Sequence, residues 1–587
     1  MENTSAQVSQ SPLIRLLLGL VVGLVLLTPL VVVLVQVQLN PATETYAMSL
    51  TDNNLLGRAE GVEQENYERL AEDPRLAGTL AFSARMMQER VLAVAIIPVV
   101  IGLLVGIQGL AGRVLNRVVM GILTIVTAPV VYLLLWRMYW SPFWGREPSP
   151  VYPPPDEMFL TNPEGAQNAL LQIDSALTIA IALVALVAVY AAVVRGWRRG
   201  RLWSAVQAGA GAWLISLALA GFSGFFQVFT LPFYLTRGGP LNSTMTYPLY
   251  MYHYGFTQFR FGYSTALASY LIGAALSLAF FVWLVTVVFR LRLSFTPPAR
   301  TFRLNNVLAV ITIPALLVLA LPLLNMVIWG SGQAATNGTN LDELSPSLSW
   351  ATVQGNTLVS LGAIWLIMLP TTYLAGLALG FVRPLGRIVS NILFLPLLLL
   401  AFIPAEGLMF AWFVDGRDQS IMNTAGFMNV PWLVSGLALL VFKLFFDGAH
   451  ERYRRARQQS STSQSVALLY QVFLPSLLIA LLVGIVASFA STQDLLWPLA
   501  AANDPDLYTI PVTLAQLMGM FSADTGIMIT AIMSFFNFLL WFVVPFVLLQ
   551  VFVVDRLALL GGKADYRVYD APAPDSPDNA PVIDLEG

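Results

Sequence analysis

"STALASYLIGAALSLAFFVWLVTVVFR", residues 264–290, carries no charge until its last position, Arg290. Crossing hydrocarbon takes about 20 apolar residues as a helix, because lipid offers backbone N–H and C=O groups no partner and a helix satisfies them internally. The stretch therefore reads as a membrane span, and the chain repeats it. Comparable runs lie near 14–38, 91–110, 116–136, 174–194, 203–223, 305–329, 352–380, 387–413, 430–446, 466–490 and 526–553. The expected fold is all-α and polytopic, with about twelve spans in two six-span halves. The first run follows a polar stretch with one arginine and reads as an uncleaved span, with a signal peptide as the alternative.

Composition agrees. Of 587 residues, 57% are hydrophobic and 11% charged, too few charges to wet the surface of a soluble domain of this size. Net charge is -2 and no basic run is long enough to track a phosphate backbone, so no nucleic-acid partner is expected. With no cysteine and only His253 and His450, the sequence excludes disulfides, thiolate chemistry and multi-histidine metal centres. No G-x-x-x-x-G-K-[ST] motif occurs, so the chain is expected to bind no ATP through a P-loop and to hold no metal or cofactor.

Basic loops set orientation, since Lys and Arg near span ends stay cytoplasmic. "RGWRRGR" (195–201), "RLRLSFTPPARTFR" (290–303), "RPLGR" (383–387) and "ERYRRAR" (451–457) alternate with loops poor in basic residues. Both termini are thus expected in the cytoplasm and the protein in the cytoplasmic (inner) membrane, in contact with its lipids. The expected divisions are a first span and outer loop (1–90), a first core (91–292), a stiff linker (293–304), a span and outer loop (305–351), a second core (352–563) and an acidic, disordered tail (564–587). The halves suggest a pseudo-repeat, a common plan in transporters.

Two passages resemble the membrane subunits of maltose-type sugar ABC importers. "TRGGPLNST" with "FRFGYSTAL" (236–244 and 259–267) is similar to a "T-x-G-G-P-x-x-S-T…F-x-F-G-Y-x-S-A-L" pattern of one subunit, through Thr236, Gly238, Gly239, Pro240, Ser243, Thr244, Phe259, Phe261, Gly262, Tyr263, Ala266 and Leu267. "STQDLLWPLAAANDPDLYTIPV" (491–512) resembles the partner subunit, through Asp494, Trp497, Pro498, Asn503, Asp504, Pro505, Tyr508, Thr509 and Pro511, and "FIPAEGLM" (402–409) resembles its "M-I-P-G-E-V-L-L". The resemblance implies both permease subunits fused in one chain. It also implies separate cytoplasmic ABC ATPase subunits holding ATP and Mg, a solute-binding protein outside, and a sugar as substrate, so that this chain is itself no enzyme.

Under that resemblance, Gly238, Gly239, Pro240, Ser243, Thr244, Tyr263, Asp504, Pro505 and Tyr508 would meet the binding protein. An aromatic belt is the plain alternative for the tyrosines, whose rings suit the membrane interface while their hydroxyls meet water. The ATPase would push on a short cytoplasmic helix in each half, which the family marks with "E-A-A-x3-G-x9-I-x-L-P". Here the counterparts are Ala191, Ala192, Gly196, Arg198 and Arg199 in the first half, and Arg454, Arg455, Ala456, Arg457, Thr462, Leu474 and Pro475 in the second. Both are basic where the family is acidic or mixed. A transport-inactive scaffold or sensor, and a flippase or secondary transporter, therefore stand beside the importer reading.

Ionisable residues inside spans are costly and raise a functional question. Glu406, Gln493 and Asp494 are gate or pathway candidates, with a helix-end carboxylate near water as the alternative for Glu406. Lys443 is expected to snorkel toward the cytoplasmic surface. Gly19/Gly23, Gly102/Gly106 and Gly376/Gly380 have the small-xxx-small spacing of close helix packing.

Overall fold

A computed structural model describes residues 12–54, 59–126, 128–139, 159–197, 202–295, 308–338, 349–459, 463–520 and 525–562. Among them, nine helical segments are long and apolar enough to cross a membrane: Leu17–Ser49, Pro74–Ile107, Pro163–Arg195, Leu202–Leu235, Phe261–Val288, Trp350–Val382, Phe427–Arg457, Gln464–Ser491 and Gly526–Arg556. Two bent pairs raise the number to eleven: Leu110–Ile125 with Pro129–Tyr139, at 67°, and Gly386–Ala401 with Ala405–Asp418, at 66°. The expected architecture stands as an all-α polytopic membrane protein, with nine to eleven candidate spans among the described residues. The bends have a local cause. Pro129 opens one second arm and Pro404 precedes the other, and proline, lacking an N–H, cannot continue a helix into them.

The bends also expose the repeat. Each half reads as two helices, a bent pair and three more helices, the second half opening with Ala309–Asn337. The halves interlock through the bent pairs. Leu17–Ser49 and Phe261–Val288 of the first half pack on Gly386–Ala401 and Ala405–Asp418, while Ala309–Asn337 and Gly526–Arg556 pack on Leu110–Ile125 and Pro129–Tyr139. Each half's first and last helices thus embrace the other half's bend.

Within each half the second and fourth helices meet at the glycine pairs. A Cβ on Gly106 would lie 2.8 Å from Val194 Cβ, and one on Gly380 would lie 2.6 Å from Phe446 Cβ. Glycine is required there because the backbones touch. Ala191, expected in a coupling loop, is buried in the first of these contacts, and Ala192, expected there too, is buried in a separate apolar cluster with Ala205 and Ala208; both lie within helix Pro163–Trp197.

One end of the bundle is basic and carries the only strand pair among the described residues. β1 (Arg292–Phe295) pairs antiparallel with β2 (Leu557–Leu560), Arg292 opposite Leu560. The start of the expected linker at 293–304 is therefore sheet; its residues 296–304, and the expected tail at 564–587, lie outside the described residues. The first outer loop is also shorter than expected, because Pro74–Ile107 begins well before residue 91.

Candidate functional site

Four helix interruptions converge where the halves meet. Three are the bend before Pro129, the bend before Ala405 and the break at Gln227–Phe229. The fourth is the break at Thr492–Leu495. The last two occupy equivalent places in the repeat, each followed by a six-residue helix, Thr230–Leu235 or Leu496–Ala501. Their sequences match: "QVFTLP" (227–232) and "QDLLWP" (493–498) both place glutamine five residues before proline.

The two glutamines do equivalent work across the junction. Gln493 Oε1 accepts from Val130 N at 3.2 Å, at the start of the first half's second arm. Gln227 lies near the carboxyl of Glu406, in the first turn of the second half's second arm. Broken helices free backbone groups for a ligand, which is why transporter sites are built on them. The signal was present in the sequence as this repeated Q-x4-P, but only the pairing of each glutamine with the opposite bend gives it meaning.

The two sides differ in charge. The second half adds Glu406 and Asp494, where the first has Val131 and Val228. Asp494 lies close enough to Glu406 for its charge to act there, and its Oδ2 accepts from Trp432 Nε1 at 3.1 Å. Burial pushes the Asp494 carboxyl up to about 6, against opposing hydrogen bonds from Trp432 and from the backbone N–H groups of Trp497 and Leu496. Around the polar groups the junction is packed: Val130, Val131, Leu133, Leu134 and Leu135 are buried with Phe410, Trp412 and Trp497 in one apolar cluster.

At the end opposite the basic one, the aromatic passage is buried. Tyr247, Tyr250 and Tyr254 are interior, as is Tyr263, which corrects the expectation of rings at a wet interface for the first three, while Tyr252 is half-buried. The cause is a carboxylate. Tyr263 donates to Asp73 Oδ2 at 2.8 Å, Tyr250 donates to the same oxygen, and Tyr247 donates to Leu267 O at 2.7 Å. Burial alone would raise Asp73, but the two hydroxyls and the N–H groups of Arg75 and Leu76 outweigh it and hold the carboxyl below its usual range.

The glycine-proline turn is held from inside. Gly238 adopts φ +86°, Thr244 donates to Gly239 O at 2.7 Å, and Gln167 donates to Ser243 O at 2.6 Å. Thr244 is fully enclosed and Pro240 is half-buried, while Asp504 and Pro505 are exposed and Tyr508 is half-buried. Asn356 ties Asp506 O and Tyr508 O together, at 2.7 and 3.2 Å. Of the residues expected to meet a partner, the structure thus presents Asp504 and Pro505 and uses Thr244 and Tyr263 as supports.

At the basic end, Arg198, Arg199 and Thr462 lie outside the described residues. Gly196 falls in the last turn of Pro163–Trp197. Gly436–Gln459 is one continuous helix and the next described helix begins at Gln464; residues 460–462 lie outside the described residues. Arg454 and Arg457 are exposed on its last turns, Arg455 and Ala456 are half-buried, Leu474 is exposed and Pro475 is buried.

Sequence reasoning missed a ladder on the same helix. Lys443, Asp447, Glu451 and Arg455 follow at i, i+4 spacing and are paired in sequence as Lys443–Asp447 and Glu451–Arg455. Arg383 meets Asp447 at 2.6 Å, Arg292 meets Glu451 at 3.0 Å, and Lys443 donates to Asn391 Oδ1 at 2.9 Å. Lys443 is buried in this network, which overturns the snorkelling expectation. Elsewhere in the same half, Asp555 pairs with Arg113 at 3.2 Å and Arg195 at 3.6 Å, pinning the last helix to two first-half helices.

No protein-family profile matches the chain. The arabinooligosaccharides transport system permease protein AraQ of Halalkalibacterium halodurans is 24% identical to it over 207 residues, 35% of this chain and 70% of that protein. A match of that length fits within one of the two halves.

Proposed function

We propose that the chain is the membrane permease of an ABC-type importer for a carbohydrate, with both permease halves of a maltose-type system in one polypeptide. The reading is carried by the junction, where two bends of similar angle, 67° and 66°, face each other, Gln493 of the second half accepts from Val130 in the first, and Gln227 of the first lies near Glu406 in the second. Rocking one half on the other would part the Gln493–Val130 and Gln227–Glu406 contacts together and open a route between the bends. The packed junction is the closed state of that route. Likeness to a sugar permease supports the substrate class. In this reading the basic end faces the cytoplasm, both termini included, where separate subunits hydrolyse ATP with Mg; a solute-binding protein docks at the aromatic end through Asp504, Pro505 and the turn at 238–244.

A second reading, a transport-inactive permease relative serving as scaffold or sensor, draws on one observation. The exposed turns at the end of Gly436–Gln459 carry Arg454 and Arg457, basic where the importer family is acidic or mixed.

Purification from native membranes separates the two, followed by reconstitution with whatever co-purifies. ATP-dependent uptake of a labelled oligosaccharide, abolished when Arg454 and Arg457 are both changed to Glu while insertion is preserved, is the expected result. A preparation without any nucleotide-hydrolysing partner would favour the scaffold, and normal uptake by the charge-reversed chain would defeat coupling through this turn.

A further inference from the structure

The last helix of each half runs into a strand, and the two strands hold each other. β1 follows Phe261–Val288 of the first half and β2 follows Gly526–Arg556 of the second. Each then lies on the opposite half's fourth helix, β1 on Gly436–Gln459 and β2 on Pro163–Trp197. The first of these contacts is backbone to backbone, so close that a Cβ on Gly448 would lie 1.8 Å from Leu293 O. The ribbon thus ties the halves together twice, strand to strand and strand to helix.

Ion pairs fasten both strands, with the signs reversed. Arg292 on β1 meets Glu451 of the second half at 3.0 Å and donates to Gly562 O, just past β2, at 2.7 Å. On the other side Asp555, just before β2, meets Arg195 of the first half at 3.6 Å, and Arg195 donates to Val554 O at 3.0 Å and to Leu557 O. All four charged side chains are largely out of solvent. A two-stranded ribbon is marginal by itself, so this one stays formed through its packing on both halves and these pairs. The same pairs decide how it opens. A slight separation would strand buried charges at high cost, whereas full separation returns them to water, where an ion pair contributes little. The ribbon is therefore either shut or fully parted.

We infer that the β1–β2 ribbon is a latch on the basic end of the bundle: the halves part at that end only when the strands separate, and the Arg292–Glu451 and Arg195–Asp555 pairs hold them shut. If the proposed function holds, release of solute at the basic end requires this step. The latch itself does not depend on that reading.

The natural absence of cysteine allows a direct test on the full chain in lipid nanodiscs. Ala449→Cys puts a thiol in the buried cluster that Leu293 and Phe295 of β1 cover, and Ala266→Cys puts a control thiol in a buried cluster elsewhere. Labelling by a water-soluble maleimide is followed at each. Glu451→Gln with Asp555→Asn should speed labelling at position 449 about tenfold or more, because the rate follows the population of the parted state, and leave position 266 unchanged. If position 266 also becomes reactive, Glu451→Gln alone carries the same comparison. Ser294 and Ala558 are register partners, and opposed Cα atoms in an antiparallel pair lie about 4.5–5.5 Å apart, a separation that a disulfide bridges. Ser294→Cys with Ala558→Cys, oxidised in the neutralised chain, should return position 449 to the parent rate, and reduction should release it. A rate at 449 indifferent to loss of both pairs would overturn the inference, as would an accelerated rate that the closed disulfide leaves unaltered. Labelling needs no transport, so failure of the latch is told apart from failure of the permease reading.

Discussion

Asp447 holds two cations inside a membrane helix bundle. Lys443 and Arg383 converge on its two oxygens, and all three groups are largely out of solvent. Removing one partner of a buried pair strands the others, which costs about 3–5 kcal/mol, whereas replacing a whole network with apolar groups of similar size is often near neutral. Asp447→Ala is accordingly expected to lower unfolding stability in detergent by about 3–5 kcal/mol. Adding Lys443→Met to the Asp447 variant should recover part of that loss; a double variant as unstable as the sum of the singles would mean that the pair is not coupled.

Asp494 makes a pH prediction. Its folded-state value is raised to about 6 from an ordinary carboxylate value, so the protonated form is the one the fold favours. Its contribution is fully present below about 4, the unfolded value, and is lost as pH rises through the folded one. Asp494→Asn, which keeps an uncharged side chain at every pH, should therefore gain thermal stability relative to the parent between pH 4 and about 7 and level off above that. A difference that stays flat across this range would place the carboxylate in water.

At the scale of elements, the second and fourth helices of each half form the tightest contacts. Gly380 sits where a Cβ would meet Phe446 Cβ at 2.6 Å and Lys443 O at 2.9 Å, and the backbone oxygen has little freedom to retreat inside a helix. Gly380→Val should force the helices apart and cost at least about 1–3 kcal/mol, typical of overpacking, and it should loosen the Lys443–Asp447 network beside it. Loss of monodisperse protein in size-exclusion chromatography, against normal behaviour of Gly355→Ala, where nothing lies within 4 Å, is the expected outcome. The ladder on Gly436–Gln459 also supplies a rigid connection: Lys443 holds Asn391 on Gly386–Ala401, and that helix ends at the bend leading to Glu406. A push on Arg454 thus has a stiff route to the junction.

For the whole molecule, the exchange of first and last helices predicts that the halves stay together without a covalent link. A protease site inserted within 296–307 and cut after folding should leave two fragments that co-elute in mild detergent. The contacts responsible are the two embraced bends, the β1–β2 ribbon, the Asp555 pairs and Tyr234, whose hydroxyl donates to Pro511 O at 2.6 Å. Fragments that separate would show that the exchange contributes little.

Much of the fold was legible along the chain, because lipid makes a simple demand: a helix about 20 residues long with no charge in its middle. The run at 264–290 met it, and so did most of its counterparts. The glycine spacing at Gly102/Gly106 and Gly376/Gly380 announced close packing for an equally local reason. The bends at Pro129 and Pro404 were harder to read, since hydropathy is indifferent to direction and both arms are apolar.

The site was legible in its parts. Glu406, Gln493 and Asp494 stood out as polar groups in apolar surroundings, but Gln227, a repeat apart from Gln493, had no visible partner until the opposite bend was brought beside it. Lys443 was misread because a cation one turn from Asp447 looks the same in sequence whether it reaches for water or for a neighbour; Arg383 and Asn391, some 50 to 60 residues upstream, decide the matter. Tyr247 and Tyr250 were likewise placed at the surface until the fold supplied their acceptors, Leu267 O for the first and Asp73, far away in the chain, for the second. What the sequence by itself determined is the set of spans and their apolar faces, which depend on each segment's own solvation. Which half each polar group would face, and so which of them form a site, only the tertiary structure decided, because those pairings join residues hundreds of positions apart and carry no local signature.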